Sequence, residues 1–249
     1  MKTYFNINYE FGKQEMARVI DTAQKGYICV ADGVVMNTAN RDAEYLNVVN
    51  GSLFSICDSS WVPLYLKSIY GIKYEQYCGS AIFKDIVSSC KYRMMFLGTN
   101  QETLNGLKHE LEKMNPDVVN MKFVELPFRK VEDFDYPEIA RMIAADGAKI
   151  IWVALGAPKQ EKFMNLLLPH LNQGIMIGVG AVFKFFSGTE EPRCPVWMQK
   201  CHIEFIYRIM RDPKKQLKRC FMIVWTLPRL YFGELRRKRK AKKSIKQPS

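Results

Sequence analysis

Residues 154–161 read Ala-Leu-Gly-Ala-Pro-Lys-Gln-Glu and follow a continuous apolar run. A glycine turn between a strand and a helix presents backbone N–H groups at the helix N-terminus. The helix dipole favours negative charge at the same place, so Gly156 marks a candidate phosphate cradle. Lys159 would add positive charge there. Gln160 offers an amide for a ribose, base or sugar hydroxyl, and Glu161 closes the segment. The same residues would also make an ordinary strand–helix loop, and their spacing does not decide between the two. Gly178-Val179-Gly180 and Gly98-Thr99-Asn100 are similar turns after other strand-like runs. Three such turns point to one shared nucleotide crevice, although glycine is common at strand ends. Neither the GxGxxG fingerprint nor a Walker A sequence is present.

Asp58 follows the strand-like run 53–57 in Cys57-Asp58-Ser59-Ser60. A carboxylate at the carboxyl end of a strand is well placed to act as a general base. It would serve equally as the N-cap of the helix expected over 61–70. Thr38 and Asn40 lie in a comparable loop after 33–36 and carry the same two readings. Asp133-Phe134-Asp135 resembles an acidic pair that holds a metal–nucleotide, but its polar setting also fits a solvated loop. His109, His170 and His202 are isolated, so no metal ligand set and no cofactor are expected. Seven cysteines without a CxxC, several in apolar runs, read as reduced thiols in a cytosolic setting.

These groups need an ordered scaffold. Strand-like stretches at 4–8, 27–36, 53–57, 93–97, 119–125, 149–155 and 174–179 alternate with helical stretches at 13–24, 40–50, 61–70, 80–89, 101–114, 136–145 and 159–171. Asn100 caps the helix over 101–114, whose Leu104, Leu107 and Leu111 share one face. The rhythm predicts an α/β domain over 1–195 with a mostly parallel, Rossmann-like sheet and flanking helices. Ligands of such sheets sit at the carboxyl ends of the strands.

From 196 the character changes to an aromatic, then basic, helical appendage expected to end in disorder. The chain carries a net charge of +12. Residues 1–207 sum to −1 and residues 208–249 to +13, so the excess lies in the appendage alone. Phe221, Trp225, Leu227, Tyr231 and Phe232 form an apolar centre between basic flanks. That combination suits an interfacial anchor on an anionic membrane. A helix docked on the protein's own core and a nucleic-acid patch are the alternatives. No apolar run reaches the 18 residues a spanning helix needs, and the N-terminus shows no signal-peptide core.

The order of motifs resembles the WecG/TagA/CpsF family of bacterial glycosyltransferases over about residues 30–220. The resemblance is carried by 154–161 and by Ile-Gly-Val-Gly-Ala-Val-Phe at 177–183. It continues through Ser187-Gly188, Arg193-Cys194-Pro195, 197–200 and Glu-Phe-Ile-Tyr-Arg at 204–208. Thr38-Ala39-Asn40 is similar to the family's Thr-Pro-Asn and Cys57-Asp58-Ser59-Ser60 to its Pro-Asp-Gly. Ser59 stands where the family has Gly, Gln76 where it has an Arg, and Lys184 where it has an acidic residue.

The resemblance implies a UDP-sugar donor, a polyprenyl-diphosphate-linked sugar as acceptor, inversion at the anomeric carbon and no required metal. It implies a peripheral enzyme on the cytoplasmic face of the bacterial inner membrane, with homo-oligomerisation left open. Asp58 would be the catalytic base. Thr38 and Gln160 would touch substrate, with Asn40, Gly98, Gly156, Lys159, Glu161, Gly178, Gly180 and Arg193 around them. Arg208, Lys215 and Lys218 would reach over the site toward diphosphate. Two rivals stand beside this reading: a nucleotide- or RNA-binding protein using the basic tail, and a catalytically inactive, membrane-associated member.

Overall fold

The computed structural model describes residues 1–188, 198, 204–211 and 213–245. Its centre is one eight-stranded sheet, built from β1 (Lys2–Tyr4), β2 (Ile7–Glu10), β3 (Lys25–Ala31), β4 (Phe54–Cys57), β5 (Met94–Gly98), β6 (Lys122–Val124), β7 (Ile150–Ala154) and β8 (Gly174–Gly178). The order is β1-β2-β4-β3-β8-β7-β5-β6. Only β1 and β2 pair antiparallel; the other pairs are parallel. Every residue of β4, β5, β7 and β8 is buried, as strands covered on both faces require.

Register follows from the apolar pattern. Phe54, Ile28, Ile177, Trp152, Phe96 and Phe123 stand side by side across six strands. That row faces α1 (Lys13–Thr22), α5 (Gly79–Ser88), α6 (Gln101–Glu112) and α9 (Val182–Phe186). The opposite face carries Tyr27, Cys29, Met95, Ile151 and Met176. It packs against α2 (Gly33–Ala39), α3 (Ala43–Asn50), α4 (Trp61–Tyr70), α7 (Tyr136–Asp146) and α8 (Lys159–Leu167). A one-residue slip in any strand would exchange the two sets, so each register is strongly fixed.

Two local expectations are corrected. The stretch 27–36 is not all strand: β3 stops at Ala31 and α2 begins at Gly33. Asp32 causes the switch, because its carboxylate accepts the N–H groups of Val34 and Val35. The N-terminal strand at 4–8 is a hairpin, turned at Phe5 and Asn6 with φ of 49° and 65°. The C-terminal appendage is helical over its described residues. After α10 (Glu204–Arg211), α11 runs from Pro213 to Ile245.

Helix α11 docks on the body. Leu227, Leu230, Tyr231 and Leu235 pack on the first core cluster. Glu234, 1% exposed, accepts the Phe5 N–H at 2.9 Å and the Tyr70 hydroxyl at 2.7 Å, and pairs with Arg237 at 2.7 Å. The Tyr231 hydroxyl bonds Ser68, and Lys238 donates to the Ile69 carbonyl. Asn37 of α2 donates to the Met222 carbonyl at 3.0 Å. Gly33 lies under Ile223, where a Cβ would come within 2.9 Å. The helix thereby reaches the carboxyl end of β3.

Candidate active site

The carboxyl ends of β4, β3, β8 and β7 lie next to one another in the sheet, and the loops leaving them build the site. Gly156 follows β7 with φ +76°, and Gly180 follows β8 with φ +58°. The two turns touch: a Cβ on Gly180 would lie 3.9 Å from the Gly156 Cα. Gln160, in the first turn of α8 and 3% exposed, fills the angle between them. Its Oε1 accepts the Gly156 N–H at 3.2 Å. Its amide passes directly over Gly178, where a Cβ would meet Nε2 at 3.0 Å and the Met164 Cε at 2.9 Å. Gly178 is therefore glycine because of close approach. Two of the three glycine turns, those at Gly156 and Gly178–Gly180, thus lie against each other.

Asp58 lies across β3 from them. Its backbone N–H donates to Ala31 of β3 at 3.1 Å, and its Oδ1 accepts the Gly79 N–H at 2.7 Å. It does not cap α4, whose cap position is Ser60 without a side-chain bond. The carboxylate instead holds the first N–H of α5, where the helix dipole favours an anion. Gly79 connects the two halves of the site. A Cβ there would lie 3.9 Å from Asp58 Oδ1 and 3.6 Å from Val182 Cγ2, just beyond the Gly178–Gly180 turn. Gln76 donates to the Asp58 carbonyl, and the Ser59 hydroxyl accepts the Trp61 N–H at 3.3 Å. Lys184 is exposed on α9.

The remaining candidate residues are placed as follows in the fold. Thr38 lies within α2 rather than in a loop, half-buried. Asn40 is engaged structurally: its Nδ2 donates to the carbonyls of Phe5 and Met36, and its Oδ1 accepts from Asn6. Gly98 is a strand residue pressed on β7, where a Cβ would meet the Ala154 carbonyl oxygen at 2.7 Å. Lys159 turns away from Gly156. Its ammonium donates to the Arg129 carbonyl at 2.5 Å and lies 5.3 Å from the rings of Phe128 and Phe134. Arg193 lies outside the described residues. Arg208 belongs to α10, and Lys215 and Lys218 to the start of α11.

Asp135 caps α7 by accepting the Glu138 N–H, so that member of the acidic pair has a structural role. His170 stacks on Tyr136. Among the described residues no three His, Cys, Asp or Glu side chains gather as a metal set.

Glu161 departs most from expectation. Its side chain is fully buried, so it cannot face a ligand directly. Its Oε1 accepts from Gln160 Nε2 at 2.8 Å and its Oε2 from the Tyr45 hydroxyl at 2.9 Å. Burial pushes its carboxyl up to about 7, against the pull of those two bonds. Nothing in the sequence marks Tyr45 as a site residue. It sits in α3, 116 positions away, and no local signal joins it to the motif.

A mostly parallel α/β sheet with glycine turns and the Asp58 carboxylate at the carboxyl ends of its strands is a scaffold of the kind that takes ligands in the crevice beyond those ends. The sequence profile of the WecG/TagA/CpsF glycosyl transferase family matches residues 4–244, and the chain belongs to that family of glycosyltransferases. It is similar to a protein of Bacillus subtilis (strain 168), 27% identical over 86% of this chain and 85% of that protein. A Staphylococcus aureus (strain MW2) protein is 25% identical over 88% and 83% of the two chains. One from Bacillus spizizenii is 24% identical over 79% and 75%. All three are named N-acetylglucosaminyldiphosphoundecaprenol N-acetyl-beta-D-mannosaminyltransferase.

Proposed function

We propose that this glycosyltransferase moves an N-acetylmannosamine-type sugar from a UDP-sugar to an undecaprenyl-diphosphate-linked acceptor in cell-surface polymer synthesis. The supporting observation is the placement of Asp58. Its carboxylate is anchored at the carboxyl edge of the sheet, on Gly79, beside the turn that leaves β8. A base there takes the proton of the acceptor hydroxyl as that oxygen attacks C1 of the donor. The C1–O bond to UDP breaks on the opposite face, which inverts the anomeric carbon. Charge developing on UDP meets the N-terminal end of α8, and the bases Arg208, Lys215 and Lys218 supply the rest without a metal. The names of the relatives support the acceptor and the sugar; the UDP donor is what the resemblance to the family implies.

A lipid-linked acceptor fits a peripheral enzyme, and the reading puts it on the cytoplasmic face of the inner membrane. No helix among the described residues is long and apolar enough to cross a membrane. The test is incubation with UDP-N-acetylmannosamine and a short-chain polyprenyl-diphosphate N-acetylglucosamine, followed by linkage analysis. A β-linked disaccharide lipid is the expected product. Donor binding without any transfer, across a panel of UDP-sugars, would mark an inactive member. Tight, salt-sensitive RNA binding without turnover would replace the proposal.

A further inference from the structure

Gln160 and Glu161 adjoin in sequence but face different surroundings. Gln160 lies against the two glycine turns, whereas Glu161 points into the core beneath them. The hydrogen-bond pattern across the pair admits one amide orientation. Gly156 N–H is a donor and requires the oxygen of Gln160; the Glu161 carboxylate is an acceptor and requires the nitrogen. A flipped amide would set donor against donor at Gly156 and oxygen against oxygen at Glu161, each a buried mismatch. Tyr45 holds the second carboxylate oxygen and so fixes the carboxyl plane.

We propose that Glu161, held by Tyr45, is a positioning residue that locks the Gln160 amide and the Gly156 turn into the arrangement that receives the donor. This rests on the reading that Gln160 touches the UDP-sugar. Glu161 itself touches no substrate. The lock is strongest when Glu161 is ionised, because a bond to a carboxylate is roughly twice as strong as one to a neutral acceptor. When Glu161 is protonated, its hydrogen goes to the oxygen facing Tyr45, whose hydroxyl can turn to accept it. Gln160 then bonds a neutral carbonyl oxygen and is held less firmly.

Among the described residues the titratable groups around Glu161 are Tyr45 from α3, Tyr27 and Cys29 from β3, and Asp32 at the head of α2. None is a cation. Burial pushes the Tyr45 and Tyr27 hydroxyls and the Cys29 thiol upward, so these three stay neutral near pH 7. Glu161 is the group that changes charge in that window.

Calorimetric binding of UDP-N-acetylmannosamine to the full chain, from about pH 6 to about pH 8.5, tests the proposal. The donor's diphosphate is a diester and holds no proton that titrates there, so any step belongs to the protein. Wild-type affinity should rise on the order of tenfold as pH passes through the Glu161 ionisation, the scale of one charged hydrogen bond. In Glu161→Gln the step should vanish, and affinity at the alkaline end should fall by about the same factor. Tyr45→Phe removes one bond to the carboxylate, and its step should move to higher pH. In transfer assays both changes should appear in KM rather than kcat.

Gln160→Ala separates the underlying reading from the proposal. If Gln160→Ala binds the donor like wild type, Gln160 does not touch it and both fail. If Gln160→Ala binds weakly while Glu161→Gln and Tyr45→Phe keep wild-type affinity and pH dependence, only the positioning role is overturned. A flat wild-type profile overturns it as well. Tyr45→Phe preserves the ring and its packing, so the question stands even if Glu161→Gln folds poorly.

Discussion

Asparagine at position 58 keeps an oxygen that can accept the Gly79 N–H but loses the negative charge and with it the capacity to take a proton. Asp58→Asn should therefore leave the thermal midpoint nearly unchanged while kcat falls about a hundredfold or more, the range for removal of a general base. Retained activity with a lowered midpoint would make Asp58 an anchor for α5 and nothing else. Asp135 is engaged by the Glu138 N–H, so EDTA should not reduce transfer; activity lost on chelation and restored by Mg²⁺ would reinstate the acidic pair. Glu161 gives a pH signature in stability. Its folded carboxyl stands at about 7 against 4.5 for an unperturbed one. The folded state thus holds the proton more tightly. The stability this contributes is fully present below about pH 4.5 and is lost as pH rises to about 7, about 3 kcal/mol in all. The difference in unfolding free energy between Glu161→Gln and wild type should grow in favour of the variant across that interval. A difference independent of pH would show that Glu161 titrates normally. The charge that tightens the donor site weakens the fold, as positioned groups at functional sites commonly do.

Helix α11 is tied to the body by a buried carboxylate, Glu234, beside its apolar contacts. Glu234→Ala would leave the Phe5 N–H and the Tyr70 hydroxyl without their partner. A cost of about 3 kcal/mol follows, or a drop on the order of 10 °C in Tm. An unchanged Tm would mean that the helix end is not docked. The same bond shows why parts of the fold are not legible locally. The hairpin turn at Phe5 depends on a residue 229 positions away, and a phenylalanine at positive φ gives no turn signal. Strand β7 and the Asn100 cap are legible because one is a fully apolar run and the other a local side-chain bond. Helix α2 is not, since Val34, Val35 and Met36 look like strand and only Asp32 before Gly33 signals a start. Of the candidate site residues, Asp58, Gly156, Gln160 and Gly178 stand out in the sequence because they follow strand-like runs. Asn40 and Gly98 share that signal but are held by tertiary contacts that spacing cannot reveal.

Across the whole molecule, the body carrying the crevice is nearly neutral and α11 carries the positive charge. One side of α11 is docked; the other exposes Leu217, Phe221, Val224, Trp225 and Phe232, with Phe221 and Trp225 stacked at 6.1 Å. Arg229, Arg236, Arg239, Lys240 and Lys242 are exposed on the same helix. An apolar stripe beside exposed bases is the pattern of a helix lying in an anionic interface. Deleting the helix would be a poor test, because it also removes Glu234 and the core contacts of Leu227 and Leu230. Phe221→Ser with Trp225→Ser changes only exposed side chains. Each loses about 2 kcal/mol of apolar burial in the bilayer, while the bases keep about 1 kcal/mol apiece of attraction to anionic lipid. The variant should thus float with phosphatidylglycerol vesicles at low salt and detach at a salt concentration that wild type withstands. Neither protein should bind phosphatidylcholine strongly. With a short-chain acceptor in free solution, transfer by the variant should match wild type within about twofold, since the crevice between β4 and β7 is untouched. If the variant floats like wild type at every salt concentration, the exposed stripe does not enter the bilayer. If wild type fails to bind anionic vesicles at all, the positive charge on α11 serves another anion, and the acceptor diphosphate itself becomes the first to test.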